Sequence, residues 1–375
     1  MSPSGAAAQT GAVRPHGDAN EVMAVNGGVL NEAYERFHRT GPEWGEDQLT
    51  NHGPMAVEVL VRRGRADSVD RWMGAYLDRL DEMPSRTADI TDADWAEALG
   101  DGRRIGDWTA FFSRALQERP WREVLSIWWA RLLPGIVAGT THGVIRVGHV
   151  VRALLAGAEN PATLGELAHG LAFWAARSRP VPAAGPPAGR LSPQAALDII
   201  PRIPDQSGNV AGRFGQLPHL PGWEAAVAGL SPAATPDEVL IRLTDLVAAA
   251  TLRYLAHGHG QPVLLVHTAT APNAVLHTLA ALPRELWAPS LTAIWTVTAA
   301  IYSAYAPPEG APRSALPSPP SGPGAVAEVL DRAVAHADEH VIKFTDTAAE
   351  VYTRTGDPDA LAAALHAARL IRPAP

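Results

Sequence analysis

Apolar residues recur three and four positions apart along most of this chain, the spacing that lines one face of a helix. Leu30, Tyr34 and Phe37 mark the apolar side of a helix over 29–38, which Thr40-Gly41-Pro42 ends. Asn51 reads as the N-cap of the next helix, with Pro54 in its first turn and Met55, Val59 and Leu60 on its buried face. Further helices are predicted over 68–82, from Asp107 as cap through Leu116, and from Pro120 through Leu133. The same pattern continues over 136–156, 161–178, 235–256, 286–304, 325–353 and 358–371. No set of alternating β-branched segments appears, and residues 262–267 (PVLLVH) are the one stretch that also fits a strand. The expected fold class is all-α, a single multi-helix domain rather than a bundle of four, with Pro-rich loops near 179–193 and 306–324. Residues 1–21, rich in Ala, Gly, Ser and Pro, read as a disordered tail ahead of a domain over 22–375.

Composition narrows the chemistry. A formal net charge of −8 argues against a nucleic-acid partner, because phosphate binding needs a basic face. Cysteine is absent, which removes disulfides and thiolate metal ligands. The N-terminal stretch lacks the apolar core of a signal peptide, and no apolar run is long enough to span a membrane. A cytoplasmic protein without membrane contact is the expectation, and oligomeric state is left open. No G-x-G-x-x-G follows a strand and no P-loop occurs, which disfavours a built-in nucleotide or flavin domain.

Histidine carries the remaining signal. His16, His38, His219 and His366 fall in tails, polar helix ends or proline-rich segments and read as unremarkable. His52, His142, His149, His267 and His277 lie in or beside apolar helical segments, where each imidazole needs a partner or can share a metal. His142 and His149 are seven residues apart, about 10 Å along one helix face. Arg146 lies between them and reads either as an anion-holding group or as a buried structural arginine. His336, His340 and Lys343, the only lysine in the chain, stand at i, i+4 and i+7 of the helix predicted over 325–353. That stripe can form a metal site, a base site or a buried polar seam. His336 and His340 have the spacing of the zinc-protease motif, but Ala337 stands where that motif has its catalytic Glu. Lys343 can ion-pair with Glu339 or Asp346; alternatively, if burial strips its proton, the amine can add carbon dioxide and become an anionic carbamate.

Several stretches together resemble the questin oxidase-like family. They are Asn51-His-Gly-Pro-Met55, Leu99-Gly-Asp101 with Asp107-Trp108, Glu118-Arg-Pro-Trp121 and Arg131-Leu-Leu-Pro-Gly135. The likeness continues in Thr141-His-Gly-Val-Ile-Arg146 with His149, His267-Thr-Ala-Thr270 and Asp338-Glu-His-Val-Ile-Lys343, spanning roughly residues 25–355. The resemblance implies an oxidoreductase that opens anthraquinone-type aromatic rings with O2, as a dioxygenase or by Baeyer–Villiger chemistry, in secondary metabolism. It also implies a mononuclear non-haem Fe(II) held by four histidines and a carboxylated lysine. Carried onto this chain, the metal set is His52, His142, His267, His340 and Lys343, with His149 in reserve for His142 and His336 close behind the ligands. Arg146 and His149 are the expected catalytic residues and a small aromatic molecule is the expected substrate. External NADPH is retained as a reductant. The competing readings are a metal-independent, NADPH-assisted monooxygenase and a non-catalytic helical binding protein of the same fold.

Overall fold

Helix follows helix along the computed structural model, which describes residues 27–46, 48–182 and 184–374 and is 65% helical. The expected tail over 1–21 lies outside the described residues. Helices of nine residues or more are α1 (Gly27–Phe37), α2 (Gly53–Arg62), α3 (Val69–Leu77), α4 (Ile105–Glu118), α5 (Trp121–Leu132), α6 (His142–Leu155) and α7 (Pro161–Ala176). They continue as α8 (Pro236–His257), α9 (His267–Thr278), α10 (Trp287–Tyr305), α11 (Ala325–His336), α12 (Glu339–Thr355) and α13 (Asp359–Leu370). Among the described residues the only sheet is the antiparallel pair β1 (Glu43–Trp44) and β2 (Leu49–Thr50). The fold is all-α.

At its centre four helices close a ring: α2 packs on α6, α6 on α9, α9 on α12, and α12 back on α2. The other helices wrap this ring and supply most of the large core, where Trp108, Trp129, Trp174, Trp223 and Trp295 are fully buried. Two glycines let α6 sit tightly in its place. A Cβ at Gly143 would stand 2.8 Å from Trp174 Cβ on α7, and one at Gly148 would stand 2.5 Å from Ala274 Cβ and 2.8 Å from the Ala274 carbonyl oxygen on α9. Gly148→Val therefore forces α6 and α9 apart, and urea denaturation is expected to show a loss of about 1–3 kcal/mol.

The structure corrects several expectations. The helix predicted over 325–353 is two helices, because Ala337 takes a left-handed φ of 65° and Asp338 caps a new start with its carboxylate on His340 N and Val341 N. His336 thus leaves the stripe: its Nε2 lies 3.1 Å from the Ile371 carbonyl oxygen. Residues 262–265 form a helical turn, not a strand. Ile136 bridges to Arg179, residues 137–141 are turn, and α6 begins only at His142. The helix predicted over 68–82 ends at Leu77. Asp107 lies inside the first turn of α4, where it accepts bonds from Thr87 N at 2.6 Å and Ala88 N at 3.0 Å instead of capping. Asn51 acts one place earlier than expected: His52 is at the N-cap of α2 while Asn51 Oδ1 accepts Gly53 N–H at 2.9 Å.

Candidate metal centre

Each helix of the central ring begins at a histidine. His52 is the N-cap of α2, His142 and His267 are the first residues of α6 and α9, and His340 is the second residue of α12. Their rings meet in the order of the helices. Centroids are 4.3 Å apart for His52 and His142, 4.4 Å for His142 and His267, 6.2 Å for His267 and His340, and 4.5 Å for His340 and His52. His52, His142 and His340 each offer a ring nitrogen within 4.8 Å of the others. Lys343, one turn beyond His340, brings its Nζ to 3.4 Å from His52 Nδ1 and is 3% exposed.

Local geometry aims the imidazoles. Gly139, Thr140 and Thr141 all take positive φ, 53°, 56° and 72°, immediately before α6. For the two threonines this costs roughly 1–2 kcal/mol each. A Cβ at Gly139 would lie 2.7 Å from Phe173 Cζ, so only glycine fits there. The strained turn lets the Gly139 carbonyl accept a hydrogen bond at His142 Nδ1 and places Thr141 Oγ1 3.1 Å from His267 Nδ1. With Nδ1 engaged, His142 Nε2 is left buried and without a protein partner. Asp338 Oδ1 lies 3.4 Å from His340 Nδ1, and Glu339 Oε1 3.7 Å from His52 Nδ1. The Tyr76 hydroxyl accepts His52 N–H at 2.6 Å. Fixing one ring nitrogen so that the other is presented is how metal-binding imidazoles are oriented.

Electrostatics disfavour charge on three of the four imidazoles. Burial, together with the neighbouring Lys343 and the other imidazoles, holds His52, His142 and His267 well below the usual histidine range. Four helix N-termini converge here, and their positive ends act in the same direction. Burial also pulls Lys343 down to about 8, against the opposing pull of Glu339 and Asp338. Lys343 makes no ion pair within 4.0 Å among the described residues, since Asp346 is taken by Arg62, Arg63 and Arg152. Four imidazoles beside a lysine amine form a nitrogen-rich set of the donor type that a divalent transition metal takes. It offers nitrogen donors in place of water, and His142 Nε2 and His340 Nδ1 are both buried without a hydrogen-bond partner.

Ten residues along each ring helix lies a second layer. Arg62 is ten positions beyond His52, Arg152 beyond His142, His277 beyond His267 and Glu350 beyond His340, a rise of about 15 Å. Arg62 reaches Glu350 at 2.7 Å, Arg152 reaches Asp346 at 2.8 Å, and His277 Nε2 lies 2.9 Å from Glu350. His149 belongs to this layer: its Nδ1 is 2.8 Å from Glu58, which also pairs with Arg152. Arg146 is elsewhere again, in a two-pronged pair with Glu166 of α7 at 2.5 and 2.8 Å. The structure thus brings together His52, His142, His267, His340 and Lys343, and sets Arg146 into an ion pair with Glu166 and His149 beside Glu58, both outside that group. His38, read as unremarkable, stacks on His169 at 4.5 Å and lies 3.3 Å from Glu166.

Sequence reasoning passed over Gly139, Thr141, Tyr76 and Asp338, all of which position the imidazoles. Only Asp338 carried a usable signal, as a cap residue followed by an acidic first turn. No helix among the described residues is long and apolar enough to cross a membrane. Comparison with protein-family models finds no match for the chain, and comparison with curated proteins finds none either.

Proposed function

We propose that this chain is an oxidoreductase that uses O2 to cleave an aromatic, anthraquinone-like substrate at a single non-haem Fe(II). His52, His142, His267 and His340 would hold the metal together with Lys343 in carboxylated form. The observation that carries the reading is the convergence of four imidazoles, from the starts of four helices, on one buried lysine amine without an ion-pair partner. The likeness to the questin oxidase-like family supports the same assignment. When bound, Fe(II) supplies the one-electron chemistry that O2 needs to react with a closed-shell aromatic ring.

The chain's own residues set the stage for that chemistry. The Gly139 carbonyl and the Thr141 hydroxyl keep His142 and His267 presenting one nitrogen inward. Tyr76 fixes the backbone at His52. Lys343, its ammonium disfavoured by burial, would lose one proton to solvent, bond through Nζ to CO2 and release a second proton, giving a carbamate that adds one anionic oxygen donor to the nitrogen set. Arg146 and His149 orient α6 against α7 and α2 and take no part in proton transfer at the substrate.

Protein reconstituted anaerobically with Fe(II) and bicarbonate is expected to retain stoichiometric iron and to consume O2 on addition of a hydroxyanthraquinone, with both properties lost on EDTA treatment. Turnover that persists after the iron is stripped would overturn the reading.

A further inference from the structure

Two sizeable cavities flank the ring, and they differ in how they meet the imidazoles. One, about 600 Å³, lies between α3 and α11 beside Trp72, Tyr76, Arg79 and Ala337. The Tyr76 side chain stands between it and His52. The other, about 560 Å³, is lined by Gly139 and Thr140, by the segment Arg177–Pro182, and by the short helix Val210–Phe214. Both volumes lie in the range of small-molecule sites, about 300–1,000 Å³. The second abuts the strained turn itself: the carbonyl holding His142 belongs to Gly139, and the hydroxyl at His267 belongs to the residue after Thr140.

We propose that the cavity behind Gly139 and Thr140 is the chamber for the organic substrate, that it takes a flat aromatic anion, and that Arg179 is the residue that selects for its negative charge. The proposal rests on the oxygenase reading for its chemistry but not for its geometry. Val137, Val181, Phe214 and three prolines, Pro180, Pro182 and Pro218, give the chamber rigid apolar walls suited to a planar ring. Its charged lining is Glu43, Arg177 and Arg179. Glu43 and Arg177 pair with each other, which cancels their charge. Arg179 lines the chamber, is exposed and has no carboxylate within 4.0 Å among the described residues, so its charge there is uncompensated. A guanidinium donates two parallel N–H bonds to a carboxylate or to paired phenolic oxygens, and an apolar wall nearby strengthens that contact. The anion is thereby held at one end while its ring system lies toward the turn that carries His142.

Calorimetric titration of the full chain under argon, with and without iron, tests this using anthraquinone-2-carboxylate and its neutral methyl ester as probes. Arg179→Ala is expected to weaken the carboxylate about tenfold, the effect of one charged hydrogen-bonding partner, and to leave the ester unchanged. Ala211→Trp, which fills the chamber from the exposed side of the short helix, is expected to abolish binding of both probes. Ala75→Trp, which fills the other cavity, should leave both unaffected. The proposal is overturned if Ala211→Trp leaves binding intact, if Ala75→Trp removes it, if Arg179→Ala weakens ester and carboxylate alike, or if the wild type binds neither probe. Failure of the oxygenase reading looks different: the binding pattern holds, while iron and O2 uptake are absent.

Discussion

Lys343→Met is expected to bring iron retention from stoichiometric to near zero while leaving the helical fold intact. The side chain is 3% exposed and lies 3.4 Å from His52 Nδ1, so it cannot be a bystander on the surface. Methionine keeps its length and apolar stem, so no large cavity opens. What disappears is the nitrogen that the proposed carbamate needs. The metal-free protein should respond in the opposite sense, and this separates ligand loss from misfolding. Burial lowers the lysine from 10.5 to about 8, so holding the ammonium in place opposes folding by on the order of 3 kcal/mol at neutral pH. A base whose folded value is depressed destabilises fully below that value, and the penalty fades as pH rises from about 8 towards 10.5. Iron-free Lys343→Met should therefore be more stable than iron-free wild type at pH 7, with the gap closing above pH 8. Iron content by elemental analysis and urea midpoints across that pH range are the measurements. Lys343→Met that still retains full iron would remove the carbamate from the site.

The second large effect is expected from the ionic layer about 15 Å along the ring helices. Asp346 is buried against Arg62, Arg63 and Arg152, contributed by the far ends of α2 and α6. Although burial alone would raise its carboxyl, those three guanidinium groups hold it well below the usual range. Asp346→Asn removes the only carboxylate partner of Arg63 among the described residues and one partner each of Arg62 and Arg152, which keep Glu350 and Glu58, and opening this half-buried cluster costs about 3 kcal/mol, the low end for a buried pair. Iron affinity should fall with it, although no ligand is touched, because the clamp sets the register in which four histidines meet.

The same layer fixes the acid limit of the fold. Burial would raise Glu58, but Arg152 and His149 overcome it and hold the carboxyl at about 2. An acid depressed from 4.5 to about 2 contributes stability that is fully present above 4.5 and is lost as pH falls towards 2. His149, pushed by burial from 6.5 to about 4, stays neutral in the folded chain, so the unfolded chain takes up a proton first and stability falls between 6.5 and 4. Both effects carry the same sign. Glu58→Gln should lower stability at pH 7 and flatten the decline between pH 4.5 and 2. An equally steep decline in that variant would show that Glu58 is not a controlling group.

Much of the candidate site was legible before any coordinates. Polar, titratable side chains inside apolar helical segments need partners, which marks His52, His142, His149, His267 and His277 and the stripe His336, His340 and Lys343; the choice of His52, His142, His267, His340 and Lys343 among them is what the family resemblance implies. The ten-residue interval from each of those histidines to Arg62, Arg152, His277 and Glu350 is also written in the sequence. It gained meaning only when the four helices proved to start at one level and run in the same sense. Arg146 and His149 show the limit of local reading. Their position on α6 beside His142 suggests a shared site, yet a helix turns through 100° per residue. Which face meets α2, α7 or α9 depends on packing partners more than a dozen residues away.

The break at Ala337 shows the other limit. Apolar spacing runs straight through 325–353, so periodicity alone continues the helix and keeps His336 beside His340. One left-handed residue and one capping carboxylate end it, at a small local cost that tertiary contacts of α11 and α12 outweigh. By itself, the sequence determined the all-α class and a wider group of candidate imidazoles with a lone lysine, since helical periodicity and the demand of buried polar groups for partners are local properties. Only the tertiary structure decided that four helix starts converge, which nitrogen each ring presents, and that Arg146 and His149 pair elsewhere. Those outcomes rest on contacts between residues such as Arg62 and Asp346 or His52 and Lys343, far apart along the chain and paired only when the ring closes.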